Sequence, residues 1–158
     1  MTADLEKLER RARNVLLHQL SRSMRTEQQL REVMIKREIP AEVFEPILVR
    51  FRESQLIDDQ SFAEAYLSSR LAAGKSVNSI RRELARKGVA VSIVEQVCAD
   101  VSLAEELERA TALAKKRFQR LAGLEPAVAR RRLQGYLARR GFAASVVISA
   151  LREVERAG

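Results

Sequence analysis

The chain has 158 residues, of which 46% are apolar, 32% charged and only 4% aromatic, with no Trp; this suits a helical domain or a row of small repeats better than two large cores. A single cysteine, Cys98, and a single histidine, His18, exclude a disulfide scaffold and the usual zinc sites, and no apolar run approaches the ~18–20 residues of a membrane span. The net charge of +8, from 29 Lys and Arg against 21 Asp and Glu, suits a polyanion or an acidic protein groove as partner. The start Met1-Thr2-Ala3-Asp4 lacks a secretory layout, so the chain is expected in the cytoplasm.

In chain order, the first helix is predicted over 5–20, with Leu8, Ala12, Val15, Leu16 and Leu20 on one side. His18 lies beside Leu16, Leu17 and Leu20 without a nucleophile motif and reads as structural. Thr26 reads as the N-cap of the second helix. The turn after it is expected to depart from the later ones, because Glu38 replaces their glycine and Pro40 forbids helix at Ile39 while being able to open the third helix. Asp58-Asp59 precedes a fourth helix over 60–73 with Phe62, Ala63, Tyr66 and Leu67 on its apolar side. Both carboxylates read as caps, since no third oxygen or His is spaced to make a metal site or an acid/base pair.

Gly74-Lys75-Ser76 ends like a phosphate-binding loop, but the first glycine of that motif would fall on Ser69 and no strand precedes it. Gly74 therefore reads as a helix stop and Ser76 as the N-cap of the fifth helix. Gly88 and Gly141 read as the left-handed residues closing the fifth and eighth helices. Cys98 shares a repeat column with Leu48 and Leu151 and reads as a small core residue. Ser102 caps a seventh helix predicted over 103–121, which Gly123 follows, and Pro126 lies close to the start of the eighth. Tyr66 and Tyr136 have the chemistry to stack on bases, but their apolar-face spacing assigns them to the core.

The strongest architectural signal is internal repetition. Segments 26–51, 76–101 and 129–154 align without gaps, putting Leu30, Ile80 and Leu133 in one column and Met34, Leu84 and Leu137 in the next. Further columns hold Ile39, Val89 and Phe142, then Val43, Ile93 and Val146, then Ile47, Val97 and Ala150. Each segment reads as two helices around a tight turn, and a further helix precedes each pair. The expected fold is all-α, an elongated array of three tandem three-helix repeats divided as 1–57, 58–102 and 103–158.

Charge is uneven across these divisions. The first has 11 basic and 9 acidic residues (+2), the second 6 and 6 (0), and the third 12 and 6 (+6). Within 115–140, Glu125 is the one acid among nine basic residues. Arg130, Arg131 and Arg132 spread over about 200° of a helix, so they cannot share one face. Arg131, Gly135 and Arg139 or Arg140 form a stripe at one-turn spacing, and Lys115, Lys116 and Arg120 can add a second row. The dipeptides Lys36-Arg37, Arg86-Lys87 and Arg139-Arg140 recur once per repeat, which spaces charge along the array and also suits helix C-termini.

The string Leu56-Ile57-Asp58-Asp59-Gln60-Ser61-Phe62-Ala63, then Arg70, then Ile80 to Val89 with Glu83-Leu84 and Lys87-Gly88, resembles the RecX family of recombination regulators. So do Thr26-Glu27-Gln28-Gln29-Leu30 and Leu137 to Phe142 with Arg139-Arg140-Gly141. The resemblance spans nearly the whole chain and implies a curved array of three three-helix repeats. It also implies a RecA filament on single-stranded DNA as partner, bound along its groove so that filament growth, strand exchange, ATPase and co-protease activity are inhibited, in DNA repair, homologous recombination and the SOS response. Asp58, Asp59, Phe62, Ala63, Glu83, Leu84 and Gly88 would then be structural motif positions. Arg70, Arg81, Arg82, Arg86 and Lys87 of the middle repeat, with Lys115, Lys116, Arg117, Arg120, Arg131, Arg132, Arg139 and Arg140 of the last, are the candidate contacts to RecA or to single- or double-stranded DNA. No cofactor, metal, membrane or catalytic residue is expected, and a monomer is. The alternative is a helical nucleic-acid binder that acts without RecA. An enzyme has least support, because no nucleophile, base and anion-stabilising group come together.

Overall fold

The helix-forming composition and triplicated columns appear in the computed structural model as nine α-helices with no strand among the described residues, 2–157. They are α1 (Thr2–Arg22), α2 (Glu27–Lys36), α3 (Ala41–Glu53), α4 (Asp59–Ala72), α5 (Val77–Arg86), α6 (Val91–Cys98), α7 (Leu103–Phe118), α8 (Pro126–Arg139) and α9 (Ala144–Ala157). The seventh helix ends earlier than its predicted 121, because its last residues tighten into a 3-10 turn, Gln119–Leu121. None of these helices is long and apolar enough to cross a membrane.

The chain divides into two compact units, Met1–Ala65 with Leu84–Val94, and Tyr66–Glu83 with Glu95–Gly158, so the division falls inside α4, α5 and α6. In the first unit α1, α2 and α3 pack together around Ala12, Leu16, Leu30, Met34, Ile47 and Leu48. In the second, α7, α8 and α9 do the same around Ala110, Ala114, Leu133, Leu137, Ala150 and Leu151. Every residue of the five repeat columns is buried except Ile93, which is half-buried. Cys98 is buried, and burial pushes its thiol up from its ordinary pKa. His18 is exposed on α1 beside the partly exposed Leu17.

Helix starts follow the sequence signals, with one substitution of role. Thr26 makes a full capping box: its hydroxyl accepts from Gln29 N at 3.1 Å, while its own amide donates to Gln29 Oε1 at 3.0 Å. Ser76 accepts from Ser79 N and Ser102 from Glu105 N, each at 3.1 Å. Pro40 is the N-cap of α3 and Pro126 is the first residue of α8. Asp58 caps α4, accepting from Ser61 N at 3.1 Å, and these hydrogen bonds hold its carboxyl below the ordinary range. Asp59 caps another helix: its Oδ1 accepts at 3.0 Å from Glu27 N, the first amide of α2, and burial pushes its carboxyl up.

The first turn corrects the expectation drawn from Glu38. At Gly88 the amide donates to Ala85 O (3.0 Å) and the next residue, Val89, donates to Leu84 O (3.1 Å); at Glu38 the same pair runs to Ile35 O and, from Ile39, to Met34 O. Glu38 therefore adopts the left-handed conformation, with φ 59° against 87° at Gly88 and 93° at Gly141. What differs is the space outside. A Cβ on Gly88 would collide with Gln28 Cβ at the start of α2, and one on Gly141 would lie 2.6 Å from Ser76 Oγ at the start of α5, whereas Glu38 is exposed. A side chain fits at position 38 and costs only its backbone strain. Glu38→Gly is accordingly expected to stabilise the fold by about 1 kcal/mol, while Gly88→Ala loses about 2–3 kcal/mol from strain plus collision. Reversible denaturant melts of the two variants test this, and equal effects of one sign would refute it.

Candidate polyanion interface

The basic residues of 115–140 are set out by α7, the 3-10 turn and α8 of the second unit. Between these elements lie two hollows. One, of about 280 Å³, is lined by Ala73, Leu113, Lys116, Arg117, Arg120, Tyr136 and Arg140. The other, of about 490 Å³, is lined by Arg117, Leu121, Arg131, Arg132 and Arg139. Arg117 belongs to both, and neither has an acidic lining residue. The ion pairs among the described residues include none of these seven cations.

Tyr136 is half-buried against the apolar cluster and carries two guanidiniums, Arg117 and Arg140, each 4.9 Å from its ring centroid. The expected core tyrosine is thus half-buried in the core and is at the same time a platform for two cations. Arg140 is held by its backbone as well. The Ser76 hydroxyl donates to its carbonyl at 2.7 Å, and Asn78 Nδ2 donates to the next carbonyl, Gly141 O, at 3.3 Å.

That contact is half of a recurring joint. In the first unit the Thr26 hydroxyl donates to Lys87 O at 2.6 Å, closing the C-terminal carbonyl of α5, while Asp59 receives the α2 amide. In the second unit Ser76 does the same for Arg140 O, and Glu106 Oε1 accepts from Val77 N, the first amide of α5, at 3.0 Å. Thr26 and Ser76 are fully buried, and each hydroxyl both accepts and donates, so neither carries a desolvation penalty. Glu106 is buried too, and its other oxygen accepts from Arg109.

The remaining predicted site residues are placed differently. Lys115 lies apart from the second row expected of it, in a hollow shared with Leu107, Glu108, Thr111 and Glu153, because it is about 200° around α7 from Arg117. Arg70 sits 3.7 Å from Glu83 Oε2 and over the Tyr66 ring at 6.0 Å. Tyr66 is half-buried, and burial together with the Glu83 charge pushes its hydroxyl up. Arg81 pairs with Glu95 at 3.4 Å and donates to Asn78 Oδ1 at 3.0 Å. Arg82 and Arg86 are exposed and Lys87 is half-buried. Phe62, Ala63 and Leu84 are buried. The repeated dipeptides all stand at helix C-termini, where cations oppose the negative helix end. In the first unit, Arg31 grips Glu45 with two bonds of 2.6 and 3.2 Å, which hold the Glu45 carboxyl below its ordinary range, and Arg52 engages Glu27.

Residues 12–51, 58–97 and 104–151 match, in that order, the family models described as RecX, first, second and third three-helix domain. The regulatory protein RecX of Thermobifida fusca is 39% identical over 149 residues, covering 94% of this chain and 80% of its own length. The chain belongs to the RecX family. The regulatory protein RecX of Mycolicibacterium smegmatis is 40% identical over 139 residues, covering 85% of this chain and 74% of its own. The crystal structure of RecX from Lactobacillus salivarius superposes with a TM-score of 0.86 over 99% of both chains, at 20% identity, and shares the fold. The all-α, three-repeat architecture is therefore that of RecX proteins, and the role is regulatory.

Two features of this RecX-family chain depend on packing between helices distant in sequence. The carboxylates at Asp59 and Glu106 are equivalent members of the recurring joint, accepting the first amides of α2 and α5. Local spacing assigns the motif carboxylate Asp59 to its own helix, because it cannot reveal an amide 32 residues away. The Arg140–Tyr136 contact follows from one-turn spacing on α8, whereas the Arg117 side of the platform comes from another helix and has no local signature.

Proposed function

We propose that this chain regulates RecA by binding the groove of a RecA filament on single-stranded DNA, limiting filament growth and inhibiting strand exchange, ATP hydrolysis and co-protease activity. The observation that carries this reading is the pair of hollows around Arg117, where seven cations stand without a carboxylate partner among the described residues while Arg31, Arg52, Arg70 and Arg81 are paired internally. Unpaired positive charge on one face attracts a DNA-loaded filament over a Debye length of about 8–10 Å and orients the encounter. The three repeats, 1–57, 58–102 and 103–158, would act as one non-catalytic monomer in the cytoplasm. Its carboxylates support that reading, since Asp58, Asp59 and Glu106 cap helices and Glu83 lies against Arg70. The test is RecA ATP hydrolysis on single-stranded DNA with and without the full chain. The rate is expected to fall with increasing protein. An unchanged rate at concentrations that saturate the DNA would replace this reading with that of a RecA-independent nucleic-acid binder.

A further inference from the structure

Tyr136 holds the key to what the first hollow recognises. Single-strand binders offer an aromatic face to a base, and an exposed ring there would be worth a base contact. Here Arg117 and Arg140 both lie over the ring at 4.9 Å, so its π-system is already engaged by cations. Stacking also fixes two side chains that would otherwise have many rotamers, and Arg loses less freedom per hydrogen bond when its planar fork is prepositioned. The backbone of Arg140 is fixed as well, its carbonyl accepting from the Ser76 hydroxyl. The result is two oriented guanidiniums beside Lys116 and Arg120, with no lining carboxylate.

The geometry points to a site for the phosphodiester backbone of a nucleic acid, in which Tyr136 is a positioning residue that aims Arg117 and Arg140 at phosphate oxygens and does not read bases. This rests on the proposed filament reading and specifies how DNA is held. A nucleic acid suits the site better than protein carboxylates do. Protein interfaces are built around an apolar centre depleted in Lys, whereas nucleic-acid interfaces are strongly positive, and the backbone presents its charges as a continuous line. The second hollow, sharing Arg117 and adding Arg131, Arg132 and Arg139, continues the track.

The test uses the full chain without RecA and two labelled single strands of equal length, oligo-dT and a deoxyribose-phosphate chain lacking bases, read by fluorescence anisotropy across a salt series. The two probes are expected to bind within about threefold of each other. Tyr136→Leu should weaken both about tenfold and lower the salt slope by about 0.7, the loss of one single-strand phosphate contact. Tyr136→Phe, which keeps the ring, should bind within about twofold of the parent. If Tyr136→Leu loses helicity, Arg117→Lys takes its place: it keeps the charge and gives up the stacked plane, and the same loss of affinity is expected. Binding of oligo-dT more than tenfold tighter than the baseless chain would overturn the inference by showing that bases are read. So would full affinity in Tyr136→Leu or, where it applies, Arg117→Lys. If neither probe binds while RecA ATP hydrolysis is still inhibited, the site recognises protein carboxylates, and the inference falls while the regulatory reading stands. If the probes behave as expected and RecA is unaffected, the phosphate site stands and the regulatory reading falls.

Discussion

Leu137→Ala is expected to remove about 2–5 kcal/mol of unfolding free energy, the range for emptying a fully buried leucine site. Leu137 is 0% exposed, on the inner face of α8, in one cluster with Phe142, Val146, Val147 and Leu151. The surrounding helices are tied by caps and Schellman turns and cannot collapse freely into the void. For a domain whose total stability is of order 5–15 kcal/mol, the loss would be visible as a large drop in the urea midpoint with little change in slope. Leu137→Met, which nearly conserves volume, should cost less than about 1.5 kcal/mol. A loss below about 0.5 kcal/mol in Leu137→Ala would mean that the repeat columns do not form the core.

Replacing Lys116, Arg120, Arg131, Arg132 and Arg139 by Ala is expected to weaken single-strand binding on the order of a thousandfold at 0.1 M salt, since each released counterion contributes about 0.7 to the log–log salt slope. The five line the two hollows, are exposed, and leave the Arg117–Tyr136–Arg140 stack in place. Helicity should persist, because none of them joins an ion pair among the described residues. Inhibition of RecA ATP hydrolysis should fall in parallel. A control with Lys115→Ala and Arg130→Ala should change DNA binding little, because Lys115 lines a separate hollow with Glu108 and Glu153 and Arg130 is paired with Glu155. If the fivefold variant keeps the parent's affinity and salt slope, the basic face is only solvated, and the electrostatic part of the mechanism is lost.

The helices and their starts were legible in the sequence because they depend on short-range physics. Apolar residues three and four apart define a buried stripe, and a hydroxyl three residues before an amide defines a cap, so Thr26, Ser76 and Ser102 were readable where they stand. The repeat was legible for the same reason, since equivalent positions meet equivalent demands for burial. Glu38 shows where such reasoning stops: a glycine column implied a conformational need, yet at Gly88 and Gly141 the need is also for room beside the starts of α2 and α5, and the exposed Glu38 keeps the conformation at the cost of strain.

The sequence alone determined an all-helical, triplicated chain with its positive charge gathered toward the C-terminus. Only the tertiary structure decided which of those charges are available. Arg70, Arg81 and Arg130 meet carboxylates from distant positions, Lys115 turns away, and Arg117 and Arg140 meet on Tyr136. The net charge of a segment is a sum over residues, whereas its ability to hold an anion depends on which partners helix packing brings within a few ångströms, where Coulomb attraction is large and unscreened.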